Sequence, residues 1–355
     1  TVSMSRFWSD LANKLTPYVP GEQPTGKQLV KLNTNENPYE PSQGVLKAIA
    51  ATTGDSLRRY PYPDSSQLRA AYAEREGLAA GQVFLGNGSD EVLAHTFQAL
   101  LKHSRPLLFP DISYSFYPVW CKLYEVPYRT VPLTEDFRVD VDAYTGDNGG
   151  ILIPNPNAPT GVLLPLEKIE RLLANNPDSV VVIDEAYIDF GGTSATTLIG
   201  QYDNLLVIQT ASKSRSLAGL RVGVAFGSVD LIDGLVRVKD SFNSYPMDVV
   251  AQQAALASLA DESWFLNGCQ QVMDTRERVS ERMRAMGFDV LPSAANFIFS
   301  RHPAHSAEAL FCALRDRGII VRYFDKPRIS EFLRISIGTD EAMNMLLNAL
   351  EEILN

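Results

Sequence analysis

Short apolar runs, each closed by glycine, proline or a polar residue, recur through the middle of the chain: "PLLFP", "GGILIPNP", "SVVVIDEAY", "NLLVIQT" and "RVGVAFG". They are too short for helices and unbroken rather than alternating, which predicts strands buried on both faces of a largely parallel sheet. Helical patterns lie between several of them. "QVFLGNGSDEVLAHTFQALL" predicts a strand, a turn and a helix with Val92, Leu93, Phe97 and Leu100 on one face. The first 45 residues, dense in Pro, Asn and Gly, predict an irregular arm with one short strand near Leu29–Leu32. Beyond Pro246 a long helical pattern (246–286) leads into "FDVLPSAANFIFSRH", a helix near 306–317, the strands "GIIVRYF" and "FLRISIG", and a final helix. This order predicts an α/β large domain over 46–250 and a smaller α+β domain over 251–355, with a hinge in the helix after Pro246 and the arm (1–45) packing with the small domain.

Composition narrows the class without naming a function. With 355 residues, 45% hydrophobic and 21% charged, the chain is long enough for one large core and a second smaller one. Its net charge of -10 argues against a nucleic-acid surface. No apolar run reaches the ~18 residues of a membrane span, and "TVSMSRFWSDL" lacks the basic-then-apolar order of a signal peptide. Thr1–Ser3 ahead of Met4 read as an added leader. Three scattered cysteines (Cys121, Cys269, Cys312) suit reduced thiols and a cytoplasmic setting rather than a disulfide framework.

Four features at strand ends converge if the sheet is parallel, because strand C-termini then share one edge. "GNGSDE" (86–91) joins a strand to a helix start, where free backbone N–H groups suit a phosphate; a plain N-cap explains it equally well. It lacks the third glycine of a dinucleotide fingerprint, since position 91 is Glu. In "VVVIDEAY" (180–187) Asp184 closes a buried strand, so its carboxylate needs a partner: a metal, a proton or a cationic ring nitrogen. "IPNPNAPTG" (153–161) demands a rigid turn, with an X–Pro bond that is a candidate for cis. "TASKSRSLAGLR" (210–221) sets Lys213 three residues past a strand among Thr210, Ser212 and Ser214, with Arg221 beyond. A lysine near other cations and partly desolvated becomes a nucleophile able to form a Schiff base, while the hydroxyls and Arg221 suit a phosphate.

Rival motifs fail. "GEQPTGKQ" (21–28) has Gln28 where a phosphate loop needs Ser or Thr, and no strand precedes it. His302 and His305 have no third ligand nearby, so we expect no metal.

Taken together, "TPY" (16–18), "LNTNENPY" (32–39), "RYPYPDSSQLR" (59–69), "GNGSDE", "PNAPTG", "DEAY", "SKSRSLAGLR" and "FLRISIG" span nearly the whole chain. They resemble the fold-type I pyridoxal-phosphate (PLP) enzymes, and within them the histidinol-phosphate aminotransferase family of class II. The resemblance implies a seven-stranded, mostly parallel sheet between helices and a smaller α+β domain joined by the arm. It implies transamination between L-histidinol phosphate and 2-oxoglutarate, a step of histidine biosynthesis, in a homodimer that binds neither nucleic acid nor membrane. Lys213 would bond the cofactor aldehyde and then move a proton. Asp184 would hold the ring N–H, with Tyr187 and an asparagine on the ring oxygen and Tyr114 stacked on the ring. Ser89, Asp90, Thr210, Ser212 and Arg221 would hold the phosphate, joined by Tyr60 from the neighbouring subunit. Arg322 and Arg334 would bind the anionic end of each substrate, and Tyr18 and Asn35 would close from the arm. Two positions depart from the family. Relatives carry the cofactor-binding asparagine where this chain has Ala158, which moves the role to Asn157; and Arg215 stands where relatives often have an apolar residue, with no role assigned. An aromatic amino-acid aminotransferase and an O-phospho-amino-acid decarboxylase are the alternatives on the same fold. A PLP-fold regulator would need a basic DNA-binding domain for which no sequence is left over.

Overall fold

A computed structural model describes residues 5–26 and 28–355; Thr1–Ser3 and the lysine of the rejected phosphate-loop match, Lys27, fall outside them. The arm contributes helix α1 (Asp10–Lys14) and strand β1 (Val30–Lys31). The helices α2 (Gln43–Ala51) and α3 (Ser66–Glu76) follow, then β2 (Val83–Asn87), α4 (Gly88–Thr96), β3 (Leu107–Pro110), α5 (Tyr117–Tyr124), β4 (Tyr128–Val131), β5 (Gly150–Pro154), α6 (Leu166–Asn175), β6 (Val181–Asp184), β7 (Leu205–Thr210), β8 (Val222–Gly227), α7 (Val229–Asp240) and α8 (Val249–Ala260). The remainder is α9 (Glu262–Ala285), β9 (Asp289–Val290), β10 (Phe297–Arg301), α10 (Ala307–Asp316), β11 (Ile319–Ile320), β12 (Arg322–Tyr323), β13 (Leu333–Ser336) and α11 (Asp340–Leu354).

Seven strands form the main sheet in the order β2-β8-β7-β6-β5-β3-β4. All neighbours run parallel except at β8, which is antiparallel to both β2 and β7. Both faces are buried, and the strands show it residue by residue. Ile151, Ile153, Leu205 and Val207 enter the core under α2, α3, α6 and α8, while Leu152, Leu206 and Ile208 enter the one under α4, α5 and α7. That two-sided burial is why these strands read as unbroken apolar runs rather than as alternation.

A second core is built on the antiparallel sheet β12-β13-β10-β9, with α9, α10 and α11 against it. β1 pairs in parallel with β11, Val30 opposite Ile319, and the Leu32 carbonyl accepts from the Ser336 N–H at 3.0 Å. The arm is therefore sewn to the second core. Two details differ from the sequence reading. The helix beginning at Gly88 passes into a π turn over Phe97–Leu101; the extra residue rotates its face, so Leu101 is fully buried and Leu100 only partly. The pattern over 246–286 is two helices broken at Asp261. Ala251, Ala254 and Ala255 belong to the core of the main sheet and Phe265 and Cys269 to the second, so the change of core comes later than the expected 250/251.

Candidate active site

The parallel strands β5, β6 and β7 end at Pro154, Asp184 and Thr210, and Asp184 sits in register with Pro154 on one side and Ile208 on the other. A cavity of about 520 Å³ opens above these ends. Every candidate residue named above lines it except Tyr60 and Asn157: Tyr18, Asn35, Ser89, Asp90, Tyr114, Asp184, Tyr187, Thr210, Ser212, Lys213, Arg221, Arg322 and Arg334 all face this one space.

Asp184 closes the cavity floor. Its Oδ2 accepts a hydrogen bond from the Tyr117 hydroxyl at 2.7 Å, while its Oδ1 is buried with no partner. Burial pushes its pKa up to about 6, with the Tyr117 hydrogen bond opposing the shift. A buried carboxylate oxygen without a donor is costly, and a cationic N–H is what satisfies it. The next residue, Glu185, turns to the other face of the strand. It is held by Ser194 Oγ (2.6 Å), Ala195 N–H (2.8 Å) and Gln209 Nε2 (3.0 Å), so it belongs to the scaffold.

Lys213 enters from the loop after β7. Its Nζ donates to the Thr34 carbonyl at 2.9 Å and lies 5.8 Å from the centre of the Tyr187 ring. The loop is pinned on both sides: Asn37 Nδ2 donates to the Lys213 and Ser214 carbonyls (3.0 and 3.3 Å), and Ser214 Oγ donates to Asp189 at 2.6 Å. Asn35 donates through its Nδ2 to the Tyr187 hydroxyl at 3.1 Å. The arm thus reaches both the lysine and the tyrosine.

At one end of the cavity the start of α4 meets Arg221. Gly88 has φ +83°, and a Cβ added there would stand 2.7 Å from the Arg221 guanidinium. Gly223 on β8 lies so close to the Gly88 backbone that a Cβ would come within 2.4 Å of it. Two glycines therefore let the guanidinium, the Ser212 hydroxyl (3.4 Å from Arg221 Nη1) and the first N–H groups of α4 share one small space. Asp90 beside it has its pKa raised by burial, against the pull of Arg221, and accepts from the Tyr114 hydroxyl at 3.3 Å.

At the other end Arg322 and Arg334 are directly opposed in the β12–β13 ladder. Like charges so placed repel. Arg334 lies over the Phe297 and Phe324 rings, Arg322 over Phe324, and among the described residues neither pairs with a carboxylate. Burial lowers the Arg334 pKa, and its Nε is buried with no partner. The pair is suited to an anion brought from outside.

The two exceptions have simple geometry. In the turn after β5, whose bonds before Pro156 and Pro159 are both cis, Ala158 faces the cavity. Asn157 is not among the residues that line it: it is buried, its Nδ2 donates to the Ile112 carbonyl at 2.9 Å, and its Oδ1 has no partner. Tyr60 is 81% exposed and stacks on Tyr245 (4.5 Å between ring centres), on the outer surface. Sequence reasoning missed Tyr117; the signal for it is its spacing of three from Tyr114 in "DISYSFYPVW". Arg215 is buried, donating to the Ser258 carbonyl and to Glu262 (3.0 and 2.7 Å) and stacking over Phe265 at 4.0 Å. His302 gives its Nε2 to the Met286 carbonyl, and no metal-binding cluster occurs among the described residues.

The family model "Aminotransferase class I and II" matches residues 27–350. Histidinol-phosphate aminotransferase 1 of Bordetella parapertussis is 59% identical over 355 residues, 99% of this chain and all of that protein. Histidinol-phosphate aminotransferase 2 of Thiobacillus denitrificans is 59% identical over 352 residues, 99% of both chains. Among solved structures, the histidinol-phosphate aminotransferase of Sinorhizobium meliloti in complex with pyridoxal-5'-phosphate shares the fold at a TM-score of 0.88, with 24% identity over all of this chain and 99% of that one. The strand-end cavity, the loop lysine and the family match over almost the full length agree: the chain belongs to the class I and II aminotransferases.

Proposed function

We propose that the protein is a PLP-dependent aminotransferase that moves an amino group from L-histidinol phosphate to 2-oxoglutarate, giving imidazole-acetol phosphate and L-glutamate. The observation that carries this is the cavity with Asp184 Oδ1 unpartnered at its floor, Lys213 at its side and an unpaired arginine couple at its far end. The residues fit the cofactor: the orphaned carboxylate oxygen suits a protonated ring nitrogen, and the space kept open by Gly88 and Gly223 suits a phosphate. When bound, PLP supplies an aldehyde for the amines to bond and a cationic ring that draws electrons from the bond being broken.

The chain's own groups do the rest. Asp184 would hold a protonated ring nitrogen. Ser89, Ser212, Thr210 and Arg221 would hold the phosphate end. Tyr114 and the Tyr187 hydroxyl would hold the ring between them. Lys213, whose Nζ donates to the Thr34 carbonyl, would supply the amine that the aldehyde takes and the base that moves the proton at the substrate carbon. Arg322 and Arg334 accept a phosphate in one half-reaction and a carboxylate in the other, as two guanidinium forks can.

We further propose a homodimer. Tyr60 and Tyr245 are large, exposed and stacked on one another, and a second copy that covers them would receive Tyr60 near its own phosphate site. Unpaired Cys121 and Cys269, both buried, support a reducing, cytoplasmic setting. Turnover of histidinol phosphate with 2-oxoglutarate, followed as glutamate formation, tests the reaction. The wild-type protein should show a visible band, and borohydride should fix the cofactor covalently to it; Lys213→Ala should retain no cofactor covalently after reduction and show no turnover. No glutamate from histidinol phosphate, alongside turnover of phenylalanine or carbon dioxide release from threonine phosphate, overturns the substrate assignment.

A further inference from the structure

We infer that Tyr117 is a positioning residue for Asp184: its hydroxyl pins one carboxylate oxygen so that the other is left as the fixed acceptor for the cofactor's ring nitrogen. This rests on the cofactor reading above. Tyr117 touches neither the cavity nor any substrate position; it is fully buried behind the floor, with its oxygen 2.7 Å from Asp184 Oδ2.

The hydroxyl has little freedom. Tyr117 opens α5, with Pro118 next to it, and its ring stands edge-on to Phe109 and Tyr114, each 5.6 Å away centre to centre. Burial and the nearby Asp184 charge push its phenol pKa well above the usual value, so it remains a proton donor throughout the working pH range. The carboxylate is then divided. Oδ2 is bound and Oδ1 is free and buried. Without the phenol, two unsatisfied oxygens would compete for one ring N–H, the side chain could turn, and the buried carboxyl would protonate more readily. The other ionisable groups around Asp184 are Asp90 from α4, which disfavours its charge, and Tyr114, Tyr187 and Lys213 on the cavity walls. Of the described side chains around it only that of Tyr117 donates a hydrogen bond to the carboxylate, and the Ala186 backbone adds a smaller pull toward the charged form.

Tyr117→Phe isolates the effect, since it keeps the ring and its packing and removes only the oxygen. Apo-protein is titrated with PLP between pH 5.5 and 8.5 and binding is read from the visible band. The variant should bind about tenfold more weakly at neutral pH, the scale of a lost hydrogen bond to a charged group. The acid limb, where affinity falls as Asp184 protonates, should move up by about one pH unit. In an Asp184→Asn background the same change should cost nothing, because its target is already neutral. A wild-type acid limb and affinity in Tyr117→Phe, or an equal loss in both backgrounds, overturns the inference. Should Tyr117→Phe not fold, 3,5-difluorotyrosine at 117, a stronger donor, should move the limb down, and an unmoved limb overturns it too. If wild-type protein shows no Lys213-dependent band, the cofactor reading has failed; if it does and the variants match it, only the role of Tyr117 has.

Discussion

Asp184 carries two opposed demands. Chemistry needs its carboxylate ionised against a cation, yet burial has raised its pKa from the usual value to about 6, so the folded chain without a cation holds the proton to a higher pH than the unfolded chain does. For a group whose folded pKa is raised, stability is full below the unfolded value and is lost as pH rises through the folded one. The window here runs from about 4 to about 6. We therefore expect apo Asp184→Asn to outlast apo wild type in chemical denaturation, with its advantage growing by about 1 kcal/mol between pH 5 and pH 8. The same variant should bind PLP far more weakly. An advantage that is flat with pH would mean that Asp184 is not paying a burial cost in the apo-protein. At the same scale Asp184 stood out in the sequence as a charge closing an apolar run, and Lys213 and Arg221 as cations shortly past the next one; the structure brings all three to one cavity. Tyr117 did not stand out, because a tyrosine in an aromatic run is most simply packing.

At the scale of elements, the strands were legible because two-sided burial leaves an unbroken apolar signature. What was not legible follows from contacts made far along the chain. The reversal of β8 has no local mark; it is visible only in its pairing with β2 and β7. The break between α8 and α9 is likewise hidden, since apolar periodicity runs through both helices while they serve different cores. Arg215 sits at that break. It binds the last carbonyls of α8 through Ser258 and the first turn of α9 through Glu262, from a loop that also carries Lys213. A sequence shows it as an arginine where apolar residues are common; the fold shows it joining three segments. Arg215→Met keeps much of the volume and the contact with Phe265 but removes the Arg215 bonds to Glu262 and to the Ser258 carbonyl, leaving Glu262 with Arg75 and that carbonyl with the Asp261 N–H. We expect a loss of about 1–2 kcal/mol in chemical denaturation, below the cost of breaking a buried pair because Glu262 is 39% exposed and keeps Arg75. Wild-type stability in that variant would show that the pair is mere decoration.

For the whole molecule, the question is whether one chain makes a complete site. The cavity gathers residues from the arm, the main sheet and the second core, so the three parts must hold their places together: Thr34 on Lys213, Asn35 on Tyr187, Arg334 Nη2 on the Asn33 carbonyl at 2.8 Å. Tyr60 stands on the outer surface, stacked on the exposed Tyr245. If that face meets a second copy, Tyr60 of each subunit serves the phosphate end of its neighbour's site, and complementation follows from counting. Tyr60→Phe and Lys213→Ala each damage every site of their own homodimer. In a mixed dimer, the subunit with Lys213 intact receives its Tyr60 from the partner, which also has it intact, so one site is whole and the other carries both lesions. We expect refolded mixtures, purified by two tags, to bind one PLP per dimer at wild-type affinity and to regain about half the wild-type turnover. If Tyr60 acted within its own chain, the mixed dimer would hold one site of each single lesion, with no site of wild-type affinity.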